Sequence, residues 1–255
     1  MTESQRADHL NNLSDAVLDF AREHRKGVPE IIFTSSKDDE QSLAIAERFL
    51  EASGRAILSR VSPSLEARLR ERYADGSLEW YRASRTAIVR RVPREMPKGG
   101  RVGILTAGTS DRPAAEEAAI VCQEMGCSVF TQYDVGVAGL HRLFEPLRRL
   151  LQVEDVDVII VAAGMDGALP SVISGLVDVP VVGLPTAVGY GMGGRGRAAL
   201  LAMLQTCSPG LAVVNIDNGV GAGATAALIA NRAEKQRVRA GVAALHAADE
   251  GVAAE

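Results

Sequence analysis

From residue 101 onward, short apolar runs recur at regular intervals: VGIL at 102–105, SVFTQ at 128–132, VDVIIVA at 156–162, VPVVGL at 179–184 and LAVVNI at 211–216. Apolar residues between them return at helical spacing over 113–125, 140–151, 169–177, 197–204 and 222–232. Strands that do not alternate with polar residues belong to a parallel sheet covered on both faces. The pattern therefore predicts an α/β layer of flavodoxin-like or Rossmann-like kind. Ahead of it the alternation is less regular. SDAVLDFAREHR at 14–25 puts Val17, Phe20 and Ala21 at helical spacing behind a Ser14 cap, with Gly27-Val28-Pro29 as a stop. A strand at 30–33, a helix at 38–51 closed by Gly54, a strand at 56–58, a helix at 63–73 and a strand at 87–92 follow.

Pro93, Pro97, Lys98, Gly99 and Gly100 read as a linker. The predicted organisation is an N-terminal α/β domain over 1–96, a three-layer parallel-sheet domain over 99–232, and a tail over 233–255. That tail mixes charge and alanine without strong apolar spacing, as a helical arm or a frayed end.

Composition narrows the function classes. At 255 residues and 47% hydrophobic content the chain can bury a sizeable core. A formal net charge of -4 without a long basic run gives no electrostatic reason to expect nucleic acid. No apolar run approaches the ~18 residues of a membrane span. The first twenty residues carry acids and amides where a secretory leader needs a basic start and an apolar run, so a cytoplasmic protein without a membrane partner is expected. Cys122, Cys127 and Cys207 are three in number and form no CxxC pair, which suggests neither a disulfide framework nor a zinc ribbon.

Ligands of open parallel sheets bind outside the carboxyl ends of the strands. VGILTAGTSDRPAAEEA at 102–118 reads there as strand, small-residue loop and helix, with Asp111 as a helix N-cap and Pro113 in the first turn. Such a loop before a helix N-terminus suits an anion. The later loops, DVGVAGLHR at 134–142, AGMDGALP at 163–170 and PTAVGYG at 185–191, are also glycine-rich with a few polar side chains, as a polar small-molecule site requires. NIDNGVGAG at 215–223 contains a G-x-G that alone is weak support for a dinucleotide.

Read together, these loops resemble the PurE-type aminoimidazole ribonucleotide carboxylases over roughly 101–232. AGTSD stands at that family's phosphate loop and GLHR at its SAHR, while AGMDGALPSV, with Asp166, stands at the loop that carries its second histidine. DFAREHRKGVPEIIF at 19–33, AGTSDRPAAEEA, DVGVAGLHR, AGMDGALPSV, PTAVGYG and CSPGLAVVNIDNGVGAG are similar, in order, to the LarB family, pyridinium-3,5-biscarboxylic acid mononucleotide synthases of nickel-pincer cofactor biosynthesis that serve lactate racemase maturation. The resemblance implies a PurE-like second domain. It also implies carboxylation of nicotinic acid adenine dinucleotide at pyridinium C5, with carbon dioxide or bicarbonate as co-substrate and hydrolysis of the phosphoanhydride to release AMP.

By the same resemblance Cys207 is the nucleophile; since a helix C-terminus disfavours a thiolate, Arg195, Arg197 or the substrate's own pyridinium charge is expected to favour it. Asp111 is a candidate base, and His141 a candidate to bind carboxylate or to transfer the C5 proton. Gly108, Thr109, Ser110, Arg142, Gly164, Met165, Asp166, Gly167, Gly189 and Tyr190 would bind substrate, and Arg22 and Arg25, near Glu30, its diphosphate or adenylate end. A substrate-associated Mg²⁺ is expected, with Asp166 and Asp217 as weak candidates to hold it. The family further implies a homo-oligomer, an octamer as in PurE-like proteins, and the small-residue stretch 221–227 is a candidate contact. The competing expectations are a PurE-like imidazole ribonucleotide carboxylase or mutase, for which Cys207 and the N-terminal half are superfluous, and a non-catalytic dinucleotide-binding regulator indifferent to Cys207→Ser.

Overall fold

The apolar runs of the second half pair into one parallel sheet. In this computed structural model, which describes residues 12–13, 16–94, 97 and 99–252 and their side chains at 18–94, 97 and 99–242, the chain divides into two compact units, Met1–Arg94 and Glu95–Glu255.

In the first unit, β1 (Asn12–Leu13) pairs antiparallel with β2 (Ala16–Val17), and α1 is short, Arg22–Lys26. The helix predicted over 14–25 is therefore corrected: its first described residues are extended, and Ser14 lies outside the described residues. The reason is tertiary. Leu18 and Phe20, two residues apart, both reach the same apolar core, and Phe20 meets Phe49 edge-on with ring centroids 5.0 Å apart. An extended chain satisfies that spacing and a helix does not. Gly27 closes α1 at φ 72°, as the stop signal predicts.

There follow β3 (Ile32–Phe33), α2 (Asp39–Ser53), β4 (Arg55–Ser59), α3 (Pro63–Arg72), β5 (Leu78–Tyr81) and β6 (Thr86–Arg90), in a sheet of order β3-β4-β6-β5. Only β3 and β4 are parallel. Asp38 begins α2 with a reciprocal capping box to Gln41, and Ser62 caps α3 ahead of Pro63. The sequence pattern missed β5.

The second unit runs β7 (Arg101–Thr106), α4 (Arg112–Glu124), β8 (Ser128–Gln132), α5 (His141–Gln152), β9 (Val158–Ala163), α6 (Ala168–Ser174), β10 (Val181–Pro185), α7 (Arg197–Leu204), β11 (Leu211–Val213) and α8 (Gly219–Val252). Its five strands are all parallel in the order β11-β10-β9-β7-β8. The chain goes outward from β7 to β8, then returns to β9 and continues the other way. That reversal opens a crevice at the carboxyl ends of β7 and β9.

Helix α8 lies on α4 through small residues. A Cβ on Gly223 would stand 2.5 Å from the Ala118 carbonyl oxygen, Cys122 Sγ donates to the Gly223 carbonyl at 3.3 Å, and Ala222, Ala226 and Ala227 are fully buried. The stretch 221–227, expected as a contact between copies, is thus largely consumed inside the chain, because only small side chains allow two helices this close. Beyond Arg232 the helix continues unbroken to Val252. Among the described residues no helix is long and apolar enough to cross a membrane.

Candidate active site

Asp111 is the centre of the carboxyl edge of the five-stranded sheet. As the N-cap residue of α4 it was expected to bond that helix, but its carboxylate makes no cap bond there. It turns back instead: Oδ2 accepts from the Gly108 N–H at 2.8 Å, Oδ1 accepts from the Thr186 hydroxyl at 2.6 Å, and the Gly164 N–H adds a third donor. One side chain so ties together the loops that follow β7, β9 and β10. It is only 3% exposed, and burial pushes its carboxyl above the ordinary value despite those donors, with the negative charge of Asp217 acting in the same direction. Thr109 and Ser110, just before it, are exposed.

The other loops close around this carboxylate by backbone contact. A Cβ on Gly164 would stand 2.3 Å from the Val188 carbonyl oxygen and 2.7 Å from Thr186 Oγ1, and one on Gly136 would stand 2.6 Å from the Ala107 carbonyl oxygen. The glycines predicted to admit a ligand therefore also admit neighbouring loops. Met165 (φ 48°) and Gly167 (φ 63°) bend the AGMDG turn, with Met165 N–H donating to Val188 O at 2.7 Å and Gly167 N–H to Gly164 O at 2.8 Å. Strained non-glycine backbone of this kind is held by its surroundings and clusters at functional sites.

Most of the expected substrate contacts share this edge. Gly108, Thr109, Ser110, Gly164, Met165, Asp166, Gly167, Gly189 and Tyr190 all lie after strand ends, with Asp166 and Tyr190 exposed. His141 and Arg142 open α5, both exposed, and Arg142 pairs with Asp134 at 2.9 Å. Asp217, at φ 54° after β11, accepts from the Ala187 N–H at 2.9 Å. Asp166 and Asp217 therefore flank the segment 186–188. Among the described residues no three His, Cys, Asp or Glu side chains converge as a metal cage.

Within the second unit, Cys207 is not at this edge. Cys207 follows α7 and precedes β11, whose first residue pairs with Val181, the first of β10, and Gly210 O accepts from Val181 N–H at 3.0 Å. It is exposed, but at the amino edge, so the height of the sheet separates it from Asp111 and His141 within one chain. At ~3.3 Å per residue, five-residue β10 alone spans about 16 Å. Arg195 and Arg197 were expected to favour its thiolate; they stand at the opposite end of α7, at the carboxyl edge, and are not its neighbours in this chain. Arg22 and Arg25 belong to the first unit, where both guanidinium groups are engaged, Arg22 with Glu30 at 2.5 Å and Arg25 with both oxygens of Asp19 at 3.1 and 2.6 Å.

Two features escaped the sequence. Thr186 was not singled out, although a hydroxyl directly after an apolar strand is the position that reaches a neighbouring loop. The edge of Cys207 was legible in principle, since a residue between a helix and the next parallel strand always lies at the amino end.

Residues 101–250 match the family model for AIR carboxylase, and 10–91 match the model for the LarB/PurE-like N-terminal domain. An uncharacterized protein of Methanocaldococcus jannaschii is 45% identical over 222 residues, 84% of this chain and 83% of that one. The chain belongs to the LarB family. It is also similar to N5-carboxyaminoimidazole ribonucleotide mutase of the same organism, 31% identical over 127 residues that make up 50% of this chain and 74% of the mutase. A crystal structure of a Treponema denticola PurE2 variant aligns with a TM-score of 0.43 at 20% identity, covering 62% of this chain and 98% of the other. In this LarB chain the AIR carboxylase match starts at β7 and includes both the Asp111 edge and Cys207, while the engaged arginines of α1 fall in the N-terminal match.

Proposed function

We propose that this carboxylase-type enzyme carboxylates C5 of the pyridinium ring of nicotinic acid adenine dinucleotide and hydrolyses the phosphoanhydride, giving pyridinium-3,5-biscarboxylic acid mononucleotide and AMP. The observation that carries the proposal is the contrast among the three thiols. Cys122 is fully buried, and the Cys127 thiol is pushed up to about 12 by burial, with the charge of Asp157 adding to it. Cys207 alone is exposed. A buried neutral thiol packs as a small apolar group, whereas an accessible one can ionise and attack.

The chemistry needs such a thiolate. A pyridinium carbon is electron-poor and does not attack carbon dioxide. Addition of the Cys207 sulfur to the ring forms a C–S bond and leaves a neutral dihydropyridine in which C5 is an enamine carbon. C5 then bonds to carbon dioxide, a base removes the C5 proton, and expulsion of the thiolate restores the aromatic pyridinium. Asp111, with its raised carboxyl, is the candidate for that base, and exposed His141 is the candidate to exchange the proton with solvent. Thr109 and Ser110 at the start of α4 suit a phosphate. A Mg²⁺ carried on the substrate phosphates would offset charge during hydrolysis, with Asp166 and Asp217 as its protein ligands.

Because Cys207 and Asp111 lie at opposite edges, the site in this proposal joins the carboxyl edge of one copy to the amino edge of another. Two observations support it. Leu201 and Leu204, on the helix that leads to Cys207, are 65% and 63% exposed, an apolar face suited to a second copy. Arg195 and Arg197 stand on the Asp111 side, where they would meet a thiolate brought in by a partner.

The test is mass spectrometry of the products after incubation with nicotinic acid adenine dinucleotide, bicarbonate and Mg²⁺. Dicarboxylated mononucleotide and AMP from the wild type, and neither from Cys207→Ser, are expected. Carboxylation of an imidazole ribonucleotide instead, or turnover unaffected by Cys207→Ser, overturns the proposal.

A further inference from the structure

We propose that the first unit carries a nucleoside monophosphate site of its own, in the cleft between α1, β3 and α2. The cleft measures about 480 Å³, within the usual range for small-molecule sites. Its floor is the apolar core itself, presented by Ile32, Ile45 and Phe49, and Phe33 forms a wall. Phe33 remains 41% exposed although the Arg60 guanidinium covers part of it, 5.0 Å from the ring centroid. An apolar slot beside a partly exposed aromatic ring accepts a flat base, and Arg60 itself does not line the cleft.

The rim supplies the sign of the ligand's charge. Arg22 and Glu30 neutralise each other, and Asp19 is taken by Arg25 outside the cleft. Lys37 lines the cleft with no carboxylate at ion-pair distance among the described residues; its ammonium reaches only the Phe33 carbonyl oxygen, at 3.4 Å. The rim therefore holds one uncompensated positive charge, and Arg22 retains donors beyond the one given to Glu30. An apolar plate with an anionic tail matches this lining. A single phosphate matches Lys37, the one rim cation without a carboxylate partner among the described residues, better than a longer polyphosphate does. The identity of the nucleotide as AMP rests on the function proposed above, whereas the cleft and its charge do not.

The measurement is methyl NMR of the full chain labelled at isoleucine δ1, because Ile31, Ile32 and Ile45 line the cleft while Ile104 and Ile160 report on the other unit. AMP should shift the three cleft methyls saturably, and inorganic phosphate or adenosine alone should do so only weakly. Lys37→Ala should raise the AMP dissociation constant at least about tenfold, the equivalent of one charge-assisted hydrogen bond. AMP shifts confined to the second unit, no shifts, or an unchanged constant in Lys37→Ala would overturn the site. Cleft shifts without turnover of nicotinic acid adenine dinucleotide would reject the proposed reaction alone, and turnover without cleft shifts would reject this site alone.

Discussion

The two edges of the five-stranded sheet are built in opposite ways. At the carboxyl edge the loops interlock: Asp111 is almost completely buried, takes donors from Gly108, Gly164 and Thr186, and Gly164 leaves no room for a Cβ. At the amino edge the turn 205–210 is open. The Ser208 N–H donates to Thr206 Oγ1 at 3.1 Å, Gly210 turns the chain at φ 96°, and Cys207 is exposed. In the proposed reaction the base would hold its geometry and its raised affinity for a proton in the first environment, and the nucleophile would reach a ring bound on another copy from the second. The difference would then split a catalytic set by edge, with rigidity on one side and access on the other.

The largest effect expected follows from that split. Cys207→Ser and Asp111→Asn should each lose activity by orders of magnitude as pure variants. Assembled together at one to one by unfolding and refolding, they should regain roughly a quarter of wild-type activity, since each shared site then draws its two residues independently from two chains. Product mass spectrometry of the refolded mixture reads it directly. If the mixture is as inactive as either parent although native mass spectrometry shows mixed oligomers, the two residues do not meet across an interface.

How much of this was visible in the sequence depended on whether local and tertiary preferences agreed. Strand β8 and helix α7 lie where the pattern puts them, over 128–132 and 197–204, because covered parallel strands and the helices between them carry their own periodicity. Residues 16–20 do not, because the positions of Leu18 and Phe20 answer to a core assembled from α2 and β4, which the local spacing cannot register. In the site, the loops were legible from strand order alone. The bond between Asp111 and Thr186, 75 residues apart, was not, since an Asp ahead of a helix satisfies the N-cap pattern equally well. Nor does spacing reveal that the small residues of α8 face α4 within the chain rather than another copy.

A smaller effect sharpens the contrast between interlocked and open loops. Gly164→Ala forces a methyl against a backbone carbonyl and the Thr186 hydroxyl at ordinary φ, so it should cost about 1–3 kcal/mol by crowding and disturb the Asp111 carboxylate as well. Gly210→Ala meets no atom within 4 Å, and only its positive φ opposes the change. About 1 kcal/mol is expected there, with activity preserved if the cysteine turn keeps its shape. Denaturant unfolding of both variants compares the edges. Equal costs, or a larger one at Gly210, would mean that the carboxyl loops have slack that the contacts do not reveal.

The smallest effect is a matter of pH. The Asp111 carboxyl is held above its ordinary 3.8 chiefly by burial, so between that value and the raised one the folded chain keeps a proton that the unfolded chain has lost. The stabilisation is therefore complete below the unfolded value and is lost as pH rises through the folded one. Asp111→Asn cannot ionise and has no such slope. In acid, where the native residue is also neutral, the amide keeps the shape of the carboxyl but turns an NH2 group toward one of the three donors, which should cost about 1 kcal/mol. As pH rises the wild type loses its advantage, and the gap in melting temperature should narrow toward zero or change sign. Melting curves of the two proteins across the acidic range measure it. A gap that stays constant or widens with pH would mean that the three donors outweigh burial and that Asp111 rests as an ordinary carboxylate, better suited to holding the loops together than to taking a proton.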